Sequence, residues 1–169
     1  MPPSELTRLY DAHASGLFAF LLNFTRDEGC TRDTMQEVFL RLARRPALLE
    51  GVVDERAFLF RLAHNLAVDG LRRLEVRRRT HAALAREAIE LFGPEPDADA
   101  PEVQRRIVEA LGELPPEQRA VVQLKLWEGQ TFEAIAGILG IPPNTAASRY
   151  RYAMEKLRVQ LRPIYEATR

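Results

Sequence analysis

A stretch near the C-terminus combines an apolar stripe with a hydrogen-bonding face. Apolar side chains recur there at helical spacing, at Ala146, Tyr150, Ala153, Leu157 and Leu161. The opposite face of the same predicted helix carries Ser148, Arg149, Arg151, Tyr152, Glu155 and Lys156. Guanidinium groups donate paired hydrogen bonds to pairs of acceptor atoms, such as those on a guanine edge or the oxygens of a phosphate. These residue types therefore suit recognition of a nucleic acid.

The segment before this face predicts a second, shorter helix that would position it. Thr131 is a predicted N-cap, and the apolar residues between Phe132 and Leu139 share one helical face. Gly140 suits the end of that helix, and Pro143 suits the first turn of the next. This is the helix-turn-helix pattern, but an αα-hairpin with a merely solvated charged face has the same pattern.

A second basic cluster lies in the middle of the chain. Five arginines fall within eight positions, at Arg72, Arg73, Arg77, Arg78 and Arg79. The formal net charge of the 169 residues is zero, so binding to a nucleic acid has to rest on local patches of this kind. Arginines at this density produce the positive field that a phosphate-contacting surface requires.

Residues that could support catalysis or bind a metal are scattered. The chain has one cysteine, Cys30, and three histidines, His13, His64 and His81, without the spacing of a metal site. There is no glycine-rich phosphate loop and no nucleophile elbow. We therefore expect a binding protein that is not an enzyme and that uses no metal, cofactor or small-molecule substrate.

The composition and periodicity predict an all-α protein with two small helical bundles. Hydrophobic residues make up 46% and charged residues 28% of the chain, which indicates a packed protein. An acidic, proline-rich stretch near residues 93–101 lacks apolar periodicity and is typical of a linker. The predicted domains are therefore 1–91 and 103–169, with a linker at 92–102 between them. The N-terminus does not resemble a signal peptide, and no window suits a membrane span, so we expect a cytoplasmic protein without membrane insertion.

Further helix boundaries follow from capping residues and prolines. We expect a first helix from Ser4 to Phe24, a turn at residues 27–29, and a second helix that is capped by Thr31 and stopped by Pro46. Asp54 is the predicted cap of the third helix. The last helix is expected to end near Leu161.

Apolar residues of the C-terminal part predict its core. Val103 and Ile107 have helical spacing, and Leu126 closes an apolar helix that starts at Pro116. Trp127 stands just before a turn, so we interpret it as a packing residue and not as a base-stacking one.

Four segments, in this order, resemble the extracytoplasmic-function (ECF) group of bacterial RNA polymerase sigma factors. Residues 33–42 resemble the polymerase-binding helix of that family, and residues 57–73 resemble its promoter-melting helix. Residues 111–119 and 127–131 resemble the approach to its DNA-reading helix-turn-helix. The resemblance implies a protein that binds core RNA polymerase and directs initiation at promoters with −10 and −35 elements. It also implies an anti-sigma factor as a further partner.

The resemblance implies three groups of binding residues. The polymerase-binding group is Asp33, Gln36, Glu37, Phe39 and Arg41. The −10 group is Arg56, at the end of a loop from Leu49, with Asn65, Asp69, Arg72, Arg73, Arg77, Arg78 and Arg79. The −35 group is Asn144, Thr145, Ser148, Arg149, Arg151, Tyr152 and Lys156. The family more often has basic residues at the positions of Ala147 and Tyr152, so Arg149 and Arg151 are expected to dominate the −35 contacts.

Two other functions are compatible with the same pattern. One is a stand-alone helix-turn-helix regulator with an N-terminal sensor or dimerisation bundle, which would bind duplex DNA without polymerase. The other is a protein-interaction adaptor whose helix faces serve only a protein partner. The arginine cluster at residues 72–79 argues against the adaptor.

Overall fold

The computed structural model describes residues 3–80 and 102–167, and all regular structure within these ranges is helical. This confirms the prediction of an all-α fold. The elements are α1 (Pro3–Thr25), α2 (Glu28–Arg44), a 3₁₀ turn (Pro46–Leu49), α3 (Glu55–Thr80), α4 (Glu102–Glu113), α5 (Pro116–Leu126), α6 (Phe132–Leu139) and α7 (Pro143–Ala167).

The start of α2 differs from the prediction. The Asp27 carboxylate accepts a hydrogen bond from the Cys30 N–H at 2.6 Å, so Asp27 is the N-cap and the predicted turn forms the cap and first turn of the helix. Thr31, the predicted cap, is fully buried, and its hydroxyl lies 3.0 Å from that of Thr25. Both residue types are good caps, but the Thr31 side chain is buried against Thr25 inside the helix, and Asp27 caps its first turn.

The start of α3 is fixed by two side-chain contacts. Asp54 caps the helix as predicted, because its carboxylate accepts from the Ala57 N–H at 2.9 Å. Arg8 of α1 donates two hydrogen bonds, of 2.8 and 3.0 Å, to the Glu55 carboxylate. These bonds lower the pKa of Glu55, and they tie the N-terminal turn of α3 to α1.

The helix-turn-helix has the predicted caps. The Thr131 hydroxyl accepts from the Ala134 N–H at 3.1 Å, and Gly140 ends α6 in the left-handed conformation, with φ of 66°. The last helix, α7, begins at Pro143 as expected but continues through Pro163 to Ala167. The predicted end near Leu161 is therefore wrong.

The predicted core of the C-terminal part is partly wrong. Val103 and Ile107 are exposed, whereas Ala110 and Leu114 are buried, because α4 packs against α7 along the stripe that contains these two residues. Leu126 and Trp127 retain 52% and 47% of their accessible surface, so Trp127 is not a packing residue. The buried face of α5 ends at Leu124, which is fully buried.

The two halves of the chain share one hydrophobic core. Helix α5 packs against α1, and α6 packs against α3. A continuous cluster joins Phe20 and Phe60 of the first half to Val121, Leu124 and Ile135 of the second. A smaller cluster lies between α4, α5 and α7. The sequence predicted two bundles but contained no local signal for this packing, since the contacts join residues that are far apart in the chain.

Candidate nucleic-acid interface

The outer face of α7 presents hydrogen-bonding groups at the C-terminal end of the molecule. Asn144, Arg151, Tyr152 and Lys156 are exposed, whereas Thr145, Ser148 and Arg149 are half-buried. The α6–α7 junction that positions them includes an edge contact between Phe132 and Tyr150, with ring centroids 5.6 Å apart. The structure therefore brings the predicted −35 residues onto one helix.

Individual groups on this face differ in how free they are to contact DNA. The Ser148 hydroxyl donates to the Thr145 carbonyl at 3.1 Å, so it is engaged with its own helix. The Arg151 guanidinium lies 5.1 Å from the centre of the Tyr152 ring, a cation–π contact that extends both side chains along the surface. These two residues form one basic and aromatic unit.

The polar stripe of α3 is the second candidate surface. Asn65, Asp69, Arg72 and Arg73 are all exposed and follow one another at helical spacing. Arg61, one turn earlier, is also exposed and extends the stripe, with its guanidinium 5.7 Å from the Phe58 ring centre. Sequence reasoning missed Arg61, although its spacing of four from Asn65 was a sufficient signal.

The other four arginines predicted for the −10 surface do not all lie on the described part of this stripe. Arg77, Arg78 and Arg79 belong to the last turns of α3, but their side chains lie outside the described part of the structure. Arg56 lies in the first turn of α3 and pairs with Glu128 of the second half of the chain. Glu128 was not recognised from the sequence, since nothing local in the chain indicates a partner 72 positions away.

The exposed face of α2 is the candidate protein-binding surface. Asp33, Gln36 and Arg41 are exposed, and the Arg41 Nε lies 2.6 Å from the Glu37 carboxylate one turn earlier. Phe39 is half-buried, and its ring centre is 4.9 Å from that of Tyr10.

Beside these residues an apolar groove of about 610 Å³ runs between α1 and α2. Its walls include Leu6, Tyr10, Met35, Phe39 and Leu40. Tyr10 is 51% exposed. Charged residues next to an exposed apolar groove are typical of a surface that binds another protein.

Two titratable groups with shifted pKa values lie away from these surfaces, one half-buried (His64) and one buried (Arg119). His64 is surrounded by Phe20 and Phe24, and burial lowers its pKa. Arg119 is almost fully buried, and burial together with the nearby Arg26 lowers its pKa to about 10. Within the described ranges, no group of histidine, cysteine or carboxylate side chains could hold a metal ion, and no helix is long and apolar enough to cross a membrane.

Comparison with known proteins covers both halves of the chain. Residues 9–78 match the family model described as Sigma-70 region 2, and residues 104–157 match Sigma-70, region 4. The ECF RNA polymerase sigma factor SigL of Mycobacterium tuberculosis (strain H37Rv) is 32% identical over 157 residues, which are 92% of this chain and 88% of the relative. The chain belongs to the ECF sigma factors of the sigma-70 family. These are non-enzymatic factors that direct promoter-specific transcription initiation by RNA polymerase.

Two further similarities agree with this assignment. RNA polymerase sigma factor CarQ of Myxococcus xanthus is 32% identical over 151 residues, covering 89% of this chain and 85% of that protein. The sigma factor RpoE of Bartonella quintana, solved in complex with the anti-sigma factor NepR, has a similar fold, with a TM-score of 0.76. The identity to RpoE is 21%, over 94% of this chain and 95% of that one.

The match of both halves decides between the functions that the sequence left open. The order of the two regions is that of a sigma factor, and a stand-alone helix-turn-helix regulator would not require the region 2 match over residues 9–78. The prediction of a sigma factor is confirmed, as is the prediction that the protein is not an enzyme.

Proposed function

We propose that the two halves of this sigma factor divide the promoter between them. Residues 1–91 would bind core RNA polymerase and the −10 element, residues 103–169 would bind the −35 element, and residues 92–102 would link them. The observation that supports this division most strongly is the pair of exposed polar faces on α3 and α7, one in each half. The protein would act in the cytoplasm, where polymerase and promoter meet.

The −10 element would be held along the stripe of α3. Asn65 and Asp69 offer both donors and acceptors to base edges, while Arg72 and Arg73 offer positive charge to the phosphates. The loop that ends at Arg56 lies at the start of the same helix, so a base that is flipped out of the opened strand could be held there. Arg61 belongs to the same exposed stripe, and we include it among the DNA-contacting residues.

The −35 element would be read by the exposed face of α7. Substitution of Arg149 by alanine is expected to reduce discrimination between the preferred −35 sequence and its single-base variants by about 1–3 kcal/mol, because a bidentate contact to guanine would be lost. The measurement is transcription by the holoenzyme from a library of −35 variants. Arg158→Ala provides the matched control, since it removes an exposed arginine from the same helix that lies C-terminal to the seven residues proposed to contact the −35 element.

The outcome of this experiment separates two roles of Arg149. A loss confined to one or two −35 positions would support base reading. An equal loss across all sequences would show a phosphate contact and would contradict the assignment of Arg149 as a specificity residue.

The surface on α2 would bind core polymerase. Asp33 and Gln36 are exposed beside the apolar groove, so a helical partner could combine charge pairing with burial of Tyr10 and Leu40. We further propose that an anti-sigma factor regulates this protein. The similar fold of RpoE, which was solved with NepR, supports that proposal.

A further inference from the structure

One carboxylate of the second half is inserted into the first half. Glu128 follows α5 in the turn before the helix-turn-helix, and its side chain retains only 6% of its accessible surface. It forms an ion pair with the Arg56 guanidinium at the start of α3. On its other side lies α1, where a Cβ atom at Gly16 would be 3.2 and 3.3 Å from the two carboxylate oxygens. The absence of a side chain at Gly16 leaves room for this carboxylate.

Two further polar contacts join the same two halves. The Asn23 side-chain amide donates to the Gln123 side-chain carbonyl at 2.9 Å within the interface. Arg26 donates to the Gly112 carbonyl at 2.7 Å. These polar contacts surround the shared hydrophobic core and define one closed arrangement of the two halves.

The closed arrangement also places α6 against the loop that precedes α3. A cleft at this junction has Val52, Val53 and Phe58 on one side and Ala134 and Gly137 of α6 on the other. The loop proposed to receive a flipped base therefore faces protein across a narrow cleft. A single DNA strand could occupy this space fully only if α6 moved away.

We propose that Glu128 is an internal competitor of DNA for Arg56, which keeps the free sigma factor in a closed state. A carboxylate and a phosphate both bind a guanidinium through charge-assisted N–H···O hydrogen bonds. The Nη2–H group that Arg56 donates to Glu128 is one from which a DNA phosphate oxygen could accept a hydrogen bond instead. This inference rests on the proposed role of Arg56 at the −10 element. It adds that the two halves must separate before Arg56 can bind DNA.

A buried charge makes this closed state reversible. Arg119 of α5 retains 4% of its accessible surface, and its Nε and one Nη atom have no hydrogen-bond partner among the described residues. The positive charge of Arg26, in the first half, lies close enough to act on Arg119 across the interface. Burying a charge whose hydrogen bonds are incompletely satisfied, near a like charge, disfavours closure, and separating Arg26 from Arg119 on opening would relieve their repulsion. The apolar contacts between the halves and the ion pair between Glu128 and Arg56 favour the closed state.

Glu128→Gln is the direct test, because it keeps the shape of the side chain and removes its charge. The full-length free protein is measured in two ways: by small-angle X-ray scattering, and by the affinity for a fluorescent random-sequence 20-nucleotide single strand. A closed chain of this length has a radius of gyration of about 15–16 Å. We expect the variant to be larger by several Å, and to bind the strand about fivefold more tightly, since a weakened ion pair raises the open fraction. An unchanged size and affinity would overturn the proposal.

Gly16→Ala tests the same contact from the other half without altering Glu128 or Arg56. The added methyl group would crowd the carboxylate while raising the helix propensity of α1, so opening should occur without loss of helical stability. Gly70→Ala is the matched control, because it also adds a methyl group to a helix of the first half, where the new Cβ atom would lie 3.7 Å from the Cys30 sulfur, an ordinary van der Waals distance. If Gly16→Ala and Gly70→Ala left the size and the affinity equally unchanged, Gly16 would not help to hold the two halves together.

Arg56→Gln separates two possible failures: that the Arg56–Glu128 ion pair does not hold the halves together, and that Arg56 does not contact DNA. The double variant Arg56→Gln/Glu128→Gln should be as expanded as Glu128→Gln. It should not show the tighter strand binding expected of Glu128→Gln. If the expanded double variant kept that gain, Arg56 would not be the group for which Glu128 competes, and the proposal of competition would fail. Transcription by the Arg56→Gln holoenzyme then reports on the −10 role alone, and full activity would reject that role.

Discussion

Reversal of the charge at Asp33 is expected to lower the affinity for core RNA polymerase by roughly 10- to 100-fold, as loss of a charge pair at a protein interface does. Asp33 is exposed on α2 and follows Arg32, which lines the apolar groove. A lysine at position 33 would lie one turn before Glu37, whose charge is opposite. The pair should stabilise α2 slightly, so the substitution should not unfold the helix. The measurement is an equilibrium titration of labelled Asp33→Lys protein with core polymerase.

The control for this variant is a charge reversal of equal size elsewhere. Glu109 is exposed on α4, away from the proposed polymerase surface, and Glu109→Lys changes the net charge by the same amount. Equal losses of affinity in both variants would indicate a general electrostatic effect of net charge. That result would contradict the assignment of the α2 surface.

Substitution of Phe20 by alanine is expected to lower the free energy of unfolding by about 3–5 kcal/mol, because it removes a large side chain from a closely packed core. Phe20 is completely buried, and its ring centre lies 5.3 Å from that of Phe60 and 6.3 Å from that of Phe24. The cavity would open at the point where the bundle of α1 and α3 meets the second half. Urea titration monitored by circular dichroism measures the change.

Tyr10→Ala is the matched control for Phe20→Ala. It removes an aromatic ring from the same helix, but Tyr10 is 51% exposed and contacts Phe39 at the surface. The expected loss of stability is about 1 kcal/mol or less. Similar losses in the two variants would contradict the position of Phe20 at the centre of the core.

The sequence predicted those boundaries that depend on local hydrogen bonds. Thr131, Asp54 and Gly140 were assigned correctly because each residue acts on its own helix end, within four positions. The same reasoning failed at Thr31, where Asp27 lies four positions earlier and is an equally good cap. Which of two such residues caps the helix depends on the tertiary structure, in which Thr31 is buried.

Long-range contacts account for most of what the sequence did not predict. The exposed stripes of α3 and α7 followed from periodicity, since both are spacings within one helix. The pair between Arg56 and Glu128 joins residues 72 positions apart, and no pattern along the chain encodes it. Trp127 was misassigned for a related reason. Its exposure depends on which part of α5 and the following turn is covered by other helices, and the local sequence does not show this. Sequence alone therefore located the exposed polar faces of α3 and α7 and missed the arrangement of the two halves.

Run-off transcription with purified core RNA polymerase and a library of promoter fragments tests the central claim most directly. Addition of this chain should produce transcripts from the subset of fragments that share two short upstream elements, whereas core polymerase alone should show no such preference. Binding of the same fragments by the chain in the absence of polymerase, without any selective transcript in its presence, would contradict its action as a sigma factor.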